Sequence, residues 1–453
     1  MKKGINLGIV TLVASLGGFL FGFDMAVISG VLPLIQKQFL LTPAQEGWFV
    51  SSALVGCIIG VAFSGELSDR LGRKKILLIA ALLFFFSALG CAFLPGFSMV
   101  VAARIIGGIG IGFASNVVPL YISEIAPAKI RGRLVTCYQF ALTFGILVAY
   151  LSNATLLHYY RATPEVWRIM FGVGIIPALL FMSGLSIIPE SPRWLMLQGK
   201  HAEGLEISNR INTEAVTGIQ SGRPDAGIQR QGPYKELLAP GMRRALFIGI
   251  LLPLLSQFSG INAIIYYGPS ILHNAGVSLS NSLASQVIFG VANMLFTLIA
   301  IWKVDRWGRR PLYLLGTAGA AVALLLTGFC FYYSVTTGIW LFLCVLAFLA
   351  CFAFSIGPLK FVVASEIFPN AIRGRALAIS IMVMWVADTI VGQITPLMLN
   401  GVGSAATFWF FALFCLIAFI LVFYYLPETK GRSLEQIEAS WQKDGLKDKS
   451  LKD

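Results

Sequence analysis

Charge is what this chain has least of. Asp, Glu, Lys and Arg make up 12% of its 453 residues, against 57% hydrophobic. So few charges cannot cover the surface of a water-soluble globule. Histidine is scarcer still: the three, at 158, 201 and 273, are scattered, and the seven cysteines (57, 91, 137, 330, 344, 351 and 415) show no CxxC spacing. Metal ligation therefore has no support, no cofactor is expected, and the cysteines read as small buried hydrophobes. A nucleophile–base constellation is also missing, which argues against an enzyme. The strict two-residue alternation of a membrane β-barrel is absent. Nor does the start look like a cleaved leader: MKKGIN runs into an apolar stretch continuing to Leu34, too long and without a cleavage site.

What the chain does have is apolar runs of ~20 residues, the helix length that spans a ~30 Å hydrocarbon core. Twelve such runs follow one another, from 7–34 to 405–426. Backbone polar groups in lipid must be satisfied internally, so an all-α integral membrane protein with twelve transmembrane helices is expected. The formal net charge of +13 sits in the connections. Nearly all of the 34 Lys and Arg lie in segments on the side of the N-terminus; the other side has Lys37, Arg161 and Arg168, while Arg104 and Lys360 lie inside spans. That asymmetry places both termini and the long central segment in the cytoplasm. The basicity is an orientation signal relative to the lipid bilayer, and no nucleic-acid partner is expected.

Three landmarks occur twice, in the same order and at nearly one offset. The charged turn GELSDRLGRKK, with Asp69 and Arg73, returns as KVDRWGRR, with Asp305 and Arg309. SEIAPAKIRGR, with Glu124 and Arg131, returns as SEIFPNAIRGR, with Glu366 and Arg373; PESPRW, with Glu190, returns as PETKGR, with Glu428. The chain thus reads as two pseudo-symmetric six-helix halves, 1–189 and 245–426, joined by a cytoplasmic helical linker, 190–244, and followed by a tail, 427–453. Parallel repeats of this kind build one large class of secondary transporters, which rock their halves about a site near the bilayer midplane. The repeated acids and arginines lie at helix ends on the cytoplasmic face. They are expected to form a gate there, with ion pairs latching one half to the other in one state. Solubilisation of loop ends is the plainer alternative.

An ionised residue at mid-bilayer costs at least about 2.5–3.5 kcal/mol, so each is a functional candidate. Asp24, Arg104, Lys360 and Asp388 sum to zero and suggest two pairs, Asp24 with Arg104 and Lys360 with Asp388. Competition between burial and a neighbouring cation can bring a buried carboxylate into a range where it responds to pH. Asp24 is therefore the candidate proton site and Arg104 its tuner; a static structural pair is the alternative. Span 7 adds an uncharged polar stripe, SQFSGINAIIYY. On one continuous helix Ser256, Gly260 and Tyr267, or Gln257 and Tyr266, would share a face, with Asn262 between them. Amides, hydroxyls and aromatic faces suit a neutral polyol. Gln139, Asn293, Phe361 and Trp385 extend the set, although helix packing competes as the account of any single one.

The strings GGFLFGFD, GELSDRLGRKK, PLYISEIAPAKIRGRL, PESPRWL, QFSGINAIIYY, VDRWGRRP, SEIFPNAIRGRA and PETKG resemble the sugar porters of the major facilitator superfamily over about residues 7–440. The likeness is strongest to bacterial proton-coupled symporters of the D-xylose and hexose type. It implies import of a monosaccharide with a proton by rocker-switch alternating access, with Asp24 coupling protons beside Arg104. It also implies sugar contacts from Gln139, Gln257, Asn262, Tyr266, Asn293, Gly357 and Trp385, and a small helical bundle at 190–244 beside the inner gate. Departures from the family pattern bear on which sugar is taken. Ser256 stands where a glutamine is usual, Phe361 where a tryptophan is common, Met384 where a polar residue is frequent, and Lys360 and Asp388 where neutral residues are usual. A uniporter with a structural Asp24, a non-transporting sugar receptor and an efflux pump remain alternatives. The expected setting is a bacterial inner membrane, with the chain functional as a monomer. Short outer loops and an N-x-T sequon falling inside span 5, at Asn153, agree with that.

Overall fold

The computed structural model describes residues 6–127, 130–160, 162–211, 242–336, 339–368, 373–428 and 430. Among them are twelve helical spans long and apolar enough to cross a membrane: Leu7–Phe39, Pro43–Leu71, Arg73–Phe93, Phe97–Ile125, Arg131–Tyr159, Val166–Ile187, Ala245–Asn274, Leu279–Ala300, Arg309–Tyr332, Ile339–Ala364, Ala376–Gly401 and Gly403–Tyr425. No strand occurs among the described residues. The first two helices outrun their apolar runs, and there caps set the ends. Asn6 accepts from the Gly8 and Ile9 amides to start span 1, and Leu40, left-handed at φ 49°, stops it. Thr42 and Gln45 then form a reciprocal capping box, with Pro43 opening span 2. After span 6 the chain forms the short helices Pro192–Leu197 and His201–Ile211. The rest of the expected linker through 241, and nearly all of the expected tail, lie outside the described residues.

The glycine-rich stretch of span 4 packs on span 2. A Cβ on Gly108 would fall on the Ala53 carbonyl and 2.9 Å from the Gly56 Cα, and one on Gly112 would lie 2.7 Å from the Gly60 Cα. In lipid, where apolar tails do not drive helices together, such backbone contact is a main source of helix association. Asn153 of the sequon is fully buried and donates to the Val27 carbonyl at 3.0 Å, so it holds span 5 to span 1.

By packing, the chain divides into two compact units: 1–223 with 265–294 and 392–396, and 224–264 with 295–391 and 397–453. The repeat divides the chain by motif and the packing divides it by contact, so parts of spans 7, 8 and 11 count with the first six. Within the first unit, the Tyr267 hydroxyl donates to the Gly392 carbonyl at 2.6 Å and the Tyr150 hydroxyl to the Ile265 carbonyl at 3.4 Å. Gln393 accepts from Ser51 (2.9 Å) and donates to the Ala44 carbonyl (3.1 Å). Ala44 and Ser51 lie near the start of span 2, the end remote from its charged turn.

At the charged end the two repeats are built alike. Gly72 (φ 101°) and Gly308 (φ 91°) make the turns into spans 3 and 9. Over each turn sits a carboxylate from the PES or PET landmark. Glu190 accepts from the Arg73 and Lys74 amides, both at 3.1 Å, and Glu428 from the Arg309 and Arg310 amides at 3.0 and 3.1 Å. An anion on free amides at a helix start is favoured by hydrogen bonding and by the helix dipole. Burial pushes the Glu190 carboxyl above the usual glutamate range, opposed by the amides of Ser191, Lys74 and Arg73. The arginine that follows each glycine turns back into its own repeat. Arg73 pairs with Glu124 at 2.9 Å and Asp69 at 2.7 Å, and Arg309 with Glu366 at 2.8 Å.

The ion pairs that the structure shows for Arg73 and Arg309 each close within a repeat. The tight turn sets the arginine at the start of one helix beside an acid near the end of the next helix of its own repeat. Arg131 is exposed, and the side chains of Asp305 and Arg373 lie outside the described ones.

Two outcomes follow for stability. Gly108→Val should cost about 1–3 kcal/mol, because backbone on both sides cannot yield; a lower melting temperature of the detergent-purified protein would register it, and an unchanged one would show the crossing to be loose. Arg73→Ala should cost about 3–5 kcal/mol, since it strands Glu124 in packing. Arg309→Ala should cost less, because its pair keeps 14% and 23% side-chain exposure against 5% and 5% for Arg73 and Glu124. Melting curves of the two variants side by side test that order.

Candidate functional site

Span 1 carries Asp24 near its middle and span 4 carries Arg104, and the packing of these spans brings the charges together. Arg104 Nη1 donates to Asp24 Oδ2 at 3.0 Å and lies 3.4 Å from the Asp24 carbonyl. The guanidinium also lies 5.6 Å from the centre of the Phe171 ring. Its side chain is 2% exposed and that of Asp24 17%. The cation is sealed in packing, and the carboxylate is the accessible partner.

Other expected residues join this first unit. Tyr266 is buried, and its hydroxyl donates to the Met25 sulfur at 3.9 Å, which sets it one residue along span 1 from Asp24. Gln139 and Asn293 are half-buried, on spans 5 and 8. Gln139 follows Tyr138, the residue that fills the space above Gly18 of the first-span motif.

The second unit holds the rest, and span 7 departs from the expected continuous helix. Its helix stops at Phe258 and restarts at Ile261. Gly260 between them is left-handed, φ 83°, and a Cβ there would strike the Phe411 ring. A left-handed residue re-aims the chain, so the regular helical spacing expected from Ser256 to Tyr267 and from Gln257 to Tyr266 is interrupted at Gly260. The Ser256 hydroxyl turns back onto its own helix, donating to the Pro253 carbonyl at 2.8 Å. Gln257 is buried. Asn262, in the first turn after the break, is half-buried and donates through Nδ2 to Asp388 Oδ1 at 2.7 Å.

Span 10 is interrupted as well. Its helix Ile339–Cys351 widens into a π-turn at Phe352–Ile356 before Gly357–Ile367 resumes. Pro358 has no N–H to continue the ladder, and the turn ahead of it opens. Gly357 begins the resumed helix. Lys360, one turn on, is 8% exposed, with Nζ 6.0 Å from the Phe352 ring centre. Asp388 of span 11, 1% exposed, is the charge that acts on Lys360. Trp385, also buried, stands one turn before Asp388 on the same helix face. The Phe361 side chain lies outside the described ones.

Sequence reasoning passed over Gln393 and the bond between Asn262 and Asp388. An amide inside an apolar span was the available signal for the first. The second had none, because the pair joins spans 7 and 11 with no fixed spacing.

The chain matches the family model described as "Sugar (and other) transporter" over residues 10–441. It is 41% identical over 451 residues to the arabinose-proton symporter of Bacillus subtilis (strain 168), covering 98% of this chain and 97% of that one. To the D-xylose-proton symporter of Escherichia coli (strain K12) it is 40% identical over 478 residues, covering 97% and 96%. Among solved structures it is similar to the proton:xylose symporter XylE bound to 6-bromo-6-deoxy-D-glucose, a major facilitator superfamily protein, with TM-score 0.80, 37% identity, and 96% and 99% of the two chains covered. With twelve helical spans in two repeats and these likenesses along nearly its whole length, this chain is a multi-pass membrane protein that belongs to the sugar (and other) transporter family.

Proposed function

We propose that this chain is a secondary active transporter that imports a monosaccharide, pentose or hexose, together with a proton. The observation that carries the reading is the Asp24–Arg104 pair, 3.0 Å apart, with the cation buried and the carboxylate partly exposed. It occurs in a chain whose relatives at 41% and 40% identity are named proton symporters for arabinose and xylose. A neutral sugar cannot draw on the membrane potential by itself, so accumulation needs a co-transported charge. Asp24 is the group that takes it. When ionised, the carboxylate holds span 1 to the Arg104 guanidinium. Protonation removes the charge that the guanidinium faces and loosens that bond. Because Tyr266 rests on Met25, the change is felt next to span 7.

The sugar is held by Gln139, Ser256, Gln257, Asn262, Tyr266, Asn293, Gly357, Phe361 and Trp385. Their amides and hydroxyls pair with its hydroxyl groups, and the aromatic rings cover its C–H faces. Asp69, Arg73, Glu124, Arg131, Glu190, Asp305, Arg309, Glu366, Arg373 and Glu428 form the cytoplasmic gate, where the braces within each repeat let a half move as one body. The positive charge on that side favours both termini in the cytoplasm, in a bacterial inner membrane. The chain works as a monomer, without a cofactor, and carries out no covalent chemistry.

Uptake of labelled arabinose, xylose, galactose, glucose and inositol into proteoliposomes under an imposed proton gradient tests this. At 100 mV a 1:1 symporter can accumulate sugar roughly fifty-fold. The expected result is accumulation of at least one sugar by the wild type, collapsing with a protonophore. Asp24→Asn should equilibrate sugar without accumulating it. Equilibration alone in the wild type would make the protein a uniporter and Asp24 structural.

A further inference from the structure

We infer that Asp388 is a positioning residue for the sugar site: it fixes which end of the Asn262 amide the substrate meets. The inference rests on the proposed sugar transport and concerns specificity within it. An amide has two donors at one end and an acceptor at the other. Turning it over exchanges them at almost no steric cost, so an Asn facing a ligand can offer either end. A carboxylate only accepts, which removes that freedom. With Asp388 Oδ1 2.7 Å from the Asn262 Nδ2, the NH₂ end is committed to Asp388. Among the described residues this is the one side-chain hydrogen bond shown for Asn262, which is half-buried. The carbonyl oxygen is the end left for a ligand, so the sugar hydroxyl that meets it must donate.

Lys360 is what makes a carboxylate tenable there. Asp388 is 1% exposed and Lys360 8%, and the two act on each other electrostatically. The pair is neutral as a whole, so it orients the amide without adding net charge to a site for an uncharged polyol. An asparagine at 388 would hold Asn262 by amide-to-amide bonding in either sense and leave its polarity open. The position of Asn262 supports the same role. It stands in the first turn after the Gly260 break, where an interrupted helix leaves a side chain less braced by its own backbone.

The test uses the sugar that the wild type accumulates, with its monodeoxy and monodeoxyfluoro derivatives as competitors of uptake. Fluorine keeps the size of a hydroxyl and can accept weakly, but it cannot donate. One ring position should therefore reject fluorine and hydrogen alike, each weakening competition by about tenfold or more, the loss of one hydrogen bond from a desolvated site. Asp388→Asn alone removes the carboxylate that acts on Lys360, so the double variant Lys360→Met/Asp388→Asn is measured beside it. In the double variant the fluorine penalty at that position should shrink to about threefold or less. The protein should still transport the parent sugar, with the change in KM rather than in kcat. Asp388→Glu, which still only accepts, should keep the fluorine penalty. An unchanged penalty in the double variant would overturn the inference while leaving sugar transport standing. So would a wild type that tolerates fluorine at every position. Failure of the wild type to accumulate any sugar would overturn the transport reading and this inference with it.

Discussion

A charge carried into hydrocarbon has to find its counter-charge inside the protein, and much of this structure is arranged around that demand. Asp24 and Arg104 come from spans 1 and 4, Lys360 and Asp388 from spans 10 and 11. In each case the partner lies on another helix, so the pair couples two helices as well as two charges. The small residues along span 4 serve a different contact, its close packing on span 2. Span 4 is thus held on one side by backbone approach and on another by charge.

The same demand governs the charged ends. There the anion lies on free amides at a helix start, and the arginine beside it closes on an acid of its own repeat. Glu190 and Glu428 repeat this geometry to within 0.1 Å in the donor distances of the first amide (3.1 and 3.0 Å). The two copies differ in burial, Arg73 being packed in and Arg309 more open. A brace that closes within a repeat stiffens that repeat.

Breaks in the helices serve the polar groups. At Gly260 and at the π-turn before Gly357, backbone amides and carbonyls leave the regular ladder, which membrane proteins tolerate only where protein or a water-filled space surrounds them. Both breaks occur close to the intramembrane charges Lys360 and Asp388. Asn262 follows the first break and Lys360 the second, and Asp388 touches one and acts on the other. Spans 7 and 11 are thus tied by a carboxylate that also acts on the charge of span 10.

The number of spans, their order, the repeat and the family were legible in the sequence, because hydropathy over ~20 residues and short charged turns are local signals that survive in one dimension. The four intramembrane charges could also be picked out, since any charge stands out in an apolar run. What only the tertiary structure decided was which groups meet. Gly260 looked like one more small residue on a helical face until its φ of 83° broke that face. The Ser256 hydroxyl commits its proton to its own helix, at the Pro253 carbonyl. Arg73 and Arg309 could be seen to face acids, and the structure chose acids of their own repeats. Asn262 and Asp388 lie far apart in the chain and meet only because spans 7 and 11 pack together. Composition and periodicity report what a segment prefers by itself, whereas the partner of a hydrogen bond is set by the packing of helices that no spacing encodes.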